Sequence, residues 1–133
     1  MIFDASSTYI MIKSKDLRGF RDSSTLDLAF YEIGNAIIQE EKMGVIDKEA
    51  SIALAQVLQN LPEIMNIVRV EDLKASKILE IAKQLGRTFY DAAYVYLAKD
   101  KDEAFVTDDG PLAKAAAKLG IRTYSAANRP SES

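Results

Sequence analysis

Four acidic residues stand at positions where a lone carboxylate is costly. Asp4 directly follows the apolar start Met1-Ile2-Phe3, and Glu32 interrupts Leu28-Ala29-Phe30-Tyr31-Glu32-Ile33-Gly34. Asp91 is the only charge between Arg87 and Lys99, and Asp109 comes shortly after the strand-like run Ala104-Phe105-Val106. An ionised carboxylate taken out of water is expensive unless it is paired, hydrogen-bonded or metal-bound. Four of one sign in 133 residues suggest a shared cation. The chain has no histidine and no cysteine, which excludes thiol catalysis, Ser-His-Asp triads, histidine acid–base chemistry and Cys/His zinc sites. A metal here must be held by oxygen, which favours Mg²⁺ or Mn²⁺.

Each position also has a structural reading. Asp4 can cap a helix opening near Ser6. Glu32 lies on a segment carrying Leu26, Leu28, Ala29, Phe30, Tyr31, Ile33, Ala36, Ile37 and Ile38. That pattern predicts a helix buried almost all round. Asn35, three residues on, makes a polar island with Glu32, either as part of a site or as a neutral hydrogen-bonded pair. Thr88-Phe89-Tyr90-Asp91 has the form of a capping box with Asp in place of Glu. Yet the helix continues uncharged through Ala92-Ala93-Tyr94-Val95-Tyr96-Leu97-Ala98, which turns this end toward the interior or a cleft. Asp108 and Asp109 share the strand-to-helix turn Thr107-Asp108-Asp109-Gly110-Pro111; one caps or turns, and spacing does not select which. Lys13, Lys15, Arg18 and Arg21 read as a solubilising basic segment, with phosphate contact near Asp4 as the functional alternative. Tyr94 and Tyr96 read as core or interface packing.

The elements that must position these residues alternate strand-like and helical runs, the signature of an α/β layered domain. Strands are expected at Met1 to Phe3, Ile64 to Val70, Ala104 to Thr107 and Ile121 to Tyr124. Helices are expected at Ser6 to Lys13, from a Ser24 or Thr25 cap to about Lys42, Asp47 to about Asn60, Glu71 to Leu85, Thr88 to about Lys101, and Pro111 to Leu119. Residues 1–127 form one domain and the polar segment 128–133 a frayed tail. With 48% hydrophobic and 28% charged residues, global disorder is excluded. The longest uncharged stretch, Ser51 to Pro62, is too short for a membrane span, and Asp4 breaks any apolar signal core, so a cytoplasmic protein is expected. A net charge of −3 argues against holding nucleic acid by bulk electrostatics alone, although acid-bound divalent ions would invert the charge locally.

Four segments together resemble the PIN-domain ribonucleases, specifically the VapC-type toxins of prokaryotic toxin–antitoxin pairs: Ile2-Phe3-Asp4-Ala5-Ser6, Tyr31-Glu32-Ile33-Gly34-Asn35-Ala36, Tyr90-Asp91-Ala92-Ala93-Tyr94 and Val106-Thr107-Asp108-Asp109. The resemblance implies a PIN-like three-layer domain with a mainly parallel central sheet flanked by helices. It implies Asp4, Glu32, Asp91 and Asp109 as the acidic site, holding one or two Mg²⁺ or Mn²⁺ ions. It takes Asp109 over Asp108 because the family pattern sets its last acid two residues after the Thr; the Gly110-Pro111 that follows is a departure that could shift this loop. Ser6, Asn35 and Thr107 match flanking polar positions, with Asp108 beside them. The activity implied is metal-dependent endoribonuclease cleavage, leaving a 5′-phosphate and a 3′-hydroxyl; a metal-activated water replaces the absent histidine. A homodimer and an antitoxin covering the cleft are implied as partners, beside the RNA substrate.

Two other readings compete. A non-catalytic PIN-like scaffold binding RNA or protein would keep the fold without cleavage. A Mg²⁺-dependent phospho-acceptor signalling domain would need its acid pair early and an Asp ending a central strand, whereas the adjacent acids here come late and Ile64 to Val70 contains no Asp.

Overall fold

The apolar start forms a strand with no exposed face: β1 (Ile2–Phe3) is wholly buried in the computed structural model, which describes residues 1–130. Asp4 ends the strand and caps α1 (Ala5–Ser14). A 3-10 turn at Phe20–Asp22 then leads into β2 (Ser24–Leu26). After it come α2 (Leu28–Lys42), α3 (Lys48–Gln59) and β3 (Asn66–Val68). The second half comprises α4 (Ala75–Leu85), α5 (Phe89–Lys101), β4 (Phe105–Val106), α6 (Gly110–Lys118) and β5 (Thr123–Tyr124).

The strands make one parallel sheet in the order β3-β2-β1-β4-β5. β1 is central, and the chain leaves it for β2 on one side while β4 returns on the other. That reversal is the switch point beyond whose strand ends ligands bind in open parallel sheets. Asp4 N–H donates to the Val106 carbonyl at 3.2 Å, so the ends of β1 and β4 are locked together there. The helices fall into two packed groups, α1 with α2 and α3, and α4 with α5 and α6, giving the three-layer α/β architecture. The core is continuous through the sheet, with Phe3 and Phe20 meeting edge to face at 5.6 Å.

Two expectations need correction. Ser24 and Thr25 do not cap a helix; they lie in β2, paired with β1 and β3, where Thr25 Oγ1 donates to the Phe3 carbonyl at 2.8 Å. A β-branched residue fits this buried strand, and local capping chemistry is overridden by the two strands on either side. Asp27 stands before α2, but its Oδ1 accepts from Val70 N–H at 3.0 Å rather than capping. Nor is α2 buried all round. Ala29, Ile33 and Ile37 form a single buried stripe at spacing four, whereas Phe30, Tyr31 and Ile38 are exposed. Its apolar residues outnumber the surfaces available to cover them.

The other departures are shorter. The strand expected at Ile64 to Val70 is confined to Asn66–Val68, and a 3-10 turn at Val70–Asp72 delays the following helix to Ala75. Gly86, at φ 64°, closes α4 in the left-handed conformation that glycine adopts freely. The polar tail is not frayed throughout: Arg129 is 4% exposed and anchored, while residues 131–133 lie outside the described region. Among the described residues no helix is long and apolar enough to cross a membrane.

Candidate active site

Asp4 enters the switch-point crevice as the cap of α1, and the cap is what holds it. Its Oδ1 accepts from Ser7 N–H at 2.9 Å and from Ser7 Oγ at 2.8 Å, and the Thr107 hydroxyl supplies a further hydrogen bond. The residue is nearly buried at 7% exposure, and burial pushes its carboxyl above the usual range. The hydrogen bonds from Thr107 and Ser7 pull it down, and the charge of Asp108 adds to the rise. Its bonding partners are all neutral donors.

Glu32 comes from the half-buried side of α2. Its Oε1 accepts from Tyr94 Oη at 2.6 Å. Burial raises its carboxyl pKa, the Tyr94 bond lowers it, and the charges of Asp4 and Asp91 raise it again. Those last contributions place Glu32 within electrostatic reach of both Asp4 and Asp91, acids from two other elements. Tyr94 itself is buried on α5, and burial and the adjacent Glu32 push its phenol far up, so it acts there only as a donor.

Asp91 sits in the first turn of α5. Thr88 Oγ1 accepts from its N–H at 3.1 Å, which is half of the expected capping box. The side chain does not complete the box; its Oδ2 accepts from Arg87 Nε at 3.1 Å. Asp109 caps α6 through Oδ1, which accepts from Leu112 N–H at 3.0 Å, and its Oδ2 is also taken by Arg87. Thr107 Oγ1 accepts from Asp109 N–H at 3.2 Å while donating to Asp4, so one buried hydroxyl links the two strand ends. Asp108 is exposed and accepts from Ala126 N–H at 3.3 Å. The turn thus divides its acids, Asp109 capping and pairing with Arg87, Asp108 lending charge to Asp4.

Ser6 and Asn35 are exposed beside the site rather than bonded to the acids. Ser6 lines a groove with Tyr9, Ile10, Glu32 and Ala36. Asn35 lines a second with Leu28, Tyr31, Glu32 and Tyr90. Glu32 belongs to both. Half of the basic segment is paired with acids: Lys13 with Glu40 at 2.9 Å, and Arg18 with Asp16 at 2.8 Å.

Sequence reasoning missed Ser7, Arg87 and Tyr94. Ser7 occupies the third helical position after Asp4, where capping acids bond. Arg87 stands four residues before Asp91, the spacing of a helical ion pair. No local pattern joins Tyr94 to Glu32, which lies on another helix.

The donor set is all oxygen and strongly acidic, which suits a hard divalent cation and no soft one. The partly uncompensated charge on Asp4 and Glu32 is what such an ion would offset. As the side chains stand, no three acidic groups among the described residues converge on one point, and Arg87 occupies Asp91 and Asp109.

No family model matches the sequence. It is 30% identical over 126 residues to "Exonuclease VapC9" of Pyrobaculum aerophilum, covering 92% of this chain and 90% of that one. The crystal structure of PAE2754 from Pyrobaculum aerophilum superposes with a TM-score of 0.75 at 27% identity, over 92% of this chain and 87% of its own. The structure of VapBC-1 from nontypeable Haemophilus influenzae superposes with a TM-score of 0.55 at 14% identity, over 96% and 100% of the two chains, a likeness of fold. Identity sustained over nine-tenths of both chains, on the same parallel PIN-like sheet, establishes that this chain belongs to the VapC family.

Proposed function

We propose that the protein is a metal-dependent endoribonuclease, the toxin of a toxin–antitoxin pair, with Asp4, Glu32, Asp91 and Asp109 as its acidic site. The observation that carries the reading is the placing of Asp4 at the end of the central strand, at the switch point of the sheet, with Glu32 held by Tyr94 and feeling the charges of both Asp4 and Asp91. Nuclease activity accords with the name of the VapC9 relative, and an antitoxin partner with that of the VapBC-1 neighbour.

Asp4, Glu32, Asp91 and Asp109 would hold one or two Mg²⁺ or Mn²⁺ ions. When bound, such an ion acts as a Lewis acid toward a phosphate oxygen and lowers the pKa of water to the neutral range, the chemistry a chain without histidine otherwise lacks. The protein's own groups do the positioning. Ser7 and Thr107 fix Asp4, and Tyr94 fixes Glu32, so that acids from separate elements keep one arrangement. The exposed rings of Tyr31 and Tyr90 flank Glu32 in one groove and offer faces on which unpaired bases can stack. Because Glu32 lines two adjoining grooves, a strand can lie across Glu32 without an end having to enter. That openness supports internal cleavage, in contrast to the exonuclease named for the VapC9 relative.

The apolar side chains Ile38, Met43, Val45 and Ile52, exposed on and between α2 and α3, give a protein partner a surface to cover. An antitoxin, or a second copy in a homodimer, is the partner we assign to such a surface, and the cytoplasm is the location we assign to such a toxin.

Incubating purified protein with a circular and a linear single-stranded RNA, in Mn²⁺, Mg²⁺ or EDTA and beside Asp91→Asn, tests the reading. Opening of the circle by wild type alone, in either metal and not in EDTA, is the expected result. Trimming of the linear RNA with an intact circle would make the enzyme an exonuclease. Binding of either RNA without cleavage in any metal would leave the non-catalytic scaffold.

A further inference from the structure

Arg87 has no part in the reading above, yet it touches half of the proposed site. It lies in the turn between α4 and α5, next to the glycine that ends α4. Its Nε donates to Asp91 Oδ2 at 3.1 Å and its Nη2 to Asp109 Oδ2, so one guanidinium ties the acid of α5 to the acid that caps α6. A planar fork with fixed donors suits such bridging, and its charge is permanent because arginine does not deprotonate in proteins. Asp4 and Glu32, by contrast, receive only neutral hydrogen bonds among the described residues. The charge of the cluster is therefore divided between an internal cation on one side and hydroxyl and amide donors on the other.

We infer that Arg87 is the resident counter-cation of the site: it holds Asp91 and Asp109 while the divalent ion is absent and competes with that ion for the same two carboxylates. The inference rests on the metal-site reading proposed above. The side chains of Arg87, Asp91 and Asp109 are 29%, 29% and 35% exposed, so the bridge is open to water and exchangeable, unlike a buried ion pair. Apparent metal affinity is then the intrinsic affinity reduced by the competing bridge. The site then fills at a higher concentration of free ion, and in its unloaded state the like charges of α5 and the α6 cap are kept from repelling. A mere brace between α5 and α6 would affect stability and leave ion affinity alone.

The test is direct measurement of Mn²⁺ binding, by calorimetry and by the paramagnetic resonance of free Mn²⁺, on wild type, Arg87→Gln, Arg87→Lys and Asp91→Asn. Thermal melts in EDTA control for folding. Arg87→Gln is expected to bind Mn²⁺ about tenfold more tightly, the size of one partly exposed double pair lost as a competitor. Arg87→Lys, which keeps the charge but cannot fork across two carboxylates, falls between them. Asp91→Asn binds more weakly than wild type. If wild type binds Mn²⁺, Asp91→Asn weakens it, and Arg87→Gln is unchanged or weaker, the metal site stands and Arg87 is not its competitor. If neither wild type nor Arg87→Gln binds Mn²⁺, the metal-site reading fails and the inference goes with it.

Discussion

Tyr94 Oη lies 2.6 Å from Glu32 Oε1, a bond that joins α5 to α2 across 62 positions of sequence. It favours the ionised Glu32, against burial and the charges of Asp4 and Asp91. Tyr94→Phe removes that donor and changes little else, because the ring stays packed. The expected cost in stability is about 1.5–3 kcal/mol, the range for one hydrogen bond to a charged acceptor. Glu32 then titrates higher still, so the activity profile shifts toward alkaline pH and Mn²⁺ binds more weakly at neutral pH. A variant with lowered melting temperature but an unshifted pH profile would reduce Tyr94 to a packing residue.

What the sequence made legible and what it hid divide along a physical line. Asp4, Asp91 and Asp109 could be found because each follows a strand or opens a helix, where the residue type and its neighbours carry a local signal. The same signal could not separate capping from chemistry, and the fold shows why: Asp4 and Asp109 cap with Oδ1, which leaves the other oxygen for different work. β2 reads locally as a helix cap because Ser24 and Thr25 favour caps, and only the strands on either side make them a strand. Tyr94 on Glu32 and Arg129 on the α1–β2 connection are contacts between distant elements, and no period of 2 or 3.6 residues encodes them.

Asp4→Asn should stabilise the metal-free protein at neutral pH while abolishing cleavage. Asp4 is buried, and burial pushes its carboxyl above the ordinary 3.8. A raised carboxylate binds its proton more tightly in the folded chain than in the unfolded one, so stability falls as pH rises from the ordinary range through the folded value. Asparagine keeps an oxygen for Ser7 and carries no charge to bury. Melting in EDTA should therefore show the variant a few degrees above wild type at pH 7.5, with the gap closing toward pH 4. An equal gap at both pH values would mean that the charge of Asp4 is not the source of the strain.

Asp108 and Asp109 can be told apart by separating capping from ion binding. Asparagine caps a helix about as well as aspartate, so Asp109→Asn keeps the bond to Leu112 and gives up only the partly exposed pair with Arg87. Its stability should stay within about 1 kcal/mol of wild type while cleavage and Mn²⁺ affinity collapse. Asp109→Ala should lose about a further 1 kcal/mol as the cap goes. Asp108→Asn should retain most activity, since Asp108 is exposed and faces Ala126 N–H. The reverse ranking, with Asp108→Asn the inactive variant, would assign the fourth acid to the residue whose charge reaches Asp4.

Arg129 clasps the end of the chain to the connection between α1 and β2. Its Nη1 donates to the Ala126 carbonyl at 2.6 Å, its Nη2 to the Arg18 carbonyl at 2.9 Å and the Asp16 carbonyl at 3.2 Å, and it pairs with the Asp16 carboxylate at 3.1 Å. The guanidinium also lies 5.8 Å from the ring centroid of Phe3, in the core strand. Arg129→Ala strips these carbonyls of their donor and should cost about 2–4 kcal/mol. The clasp also sets a sign for acid. Arg18 first, then Arg129, hold the Asp16 carboxyl well below its ordinary 3.8. A lowered carboxylate contributes stability that is complete above the unfolded value and is lost as pH falls through the folded one. Wild type should therefore lose stability as pH drops below about 4, and Arg129→Ala should lose less over the same range because only Arg18 remains on Asp16. Denaturant melts at pH 7, 4 and 2.5 measure both effects. Parallel curves for the two proteins would show that Arg129 holds the tail through the carbonyls alone.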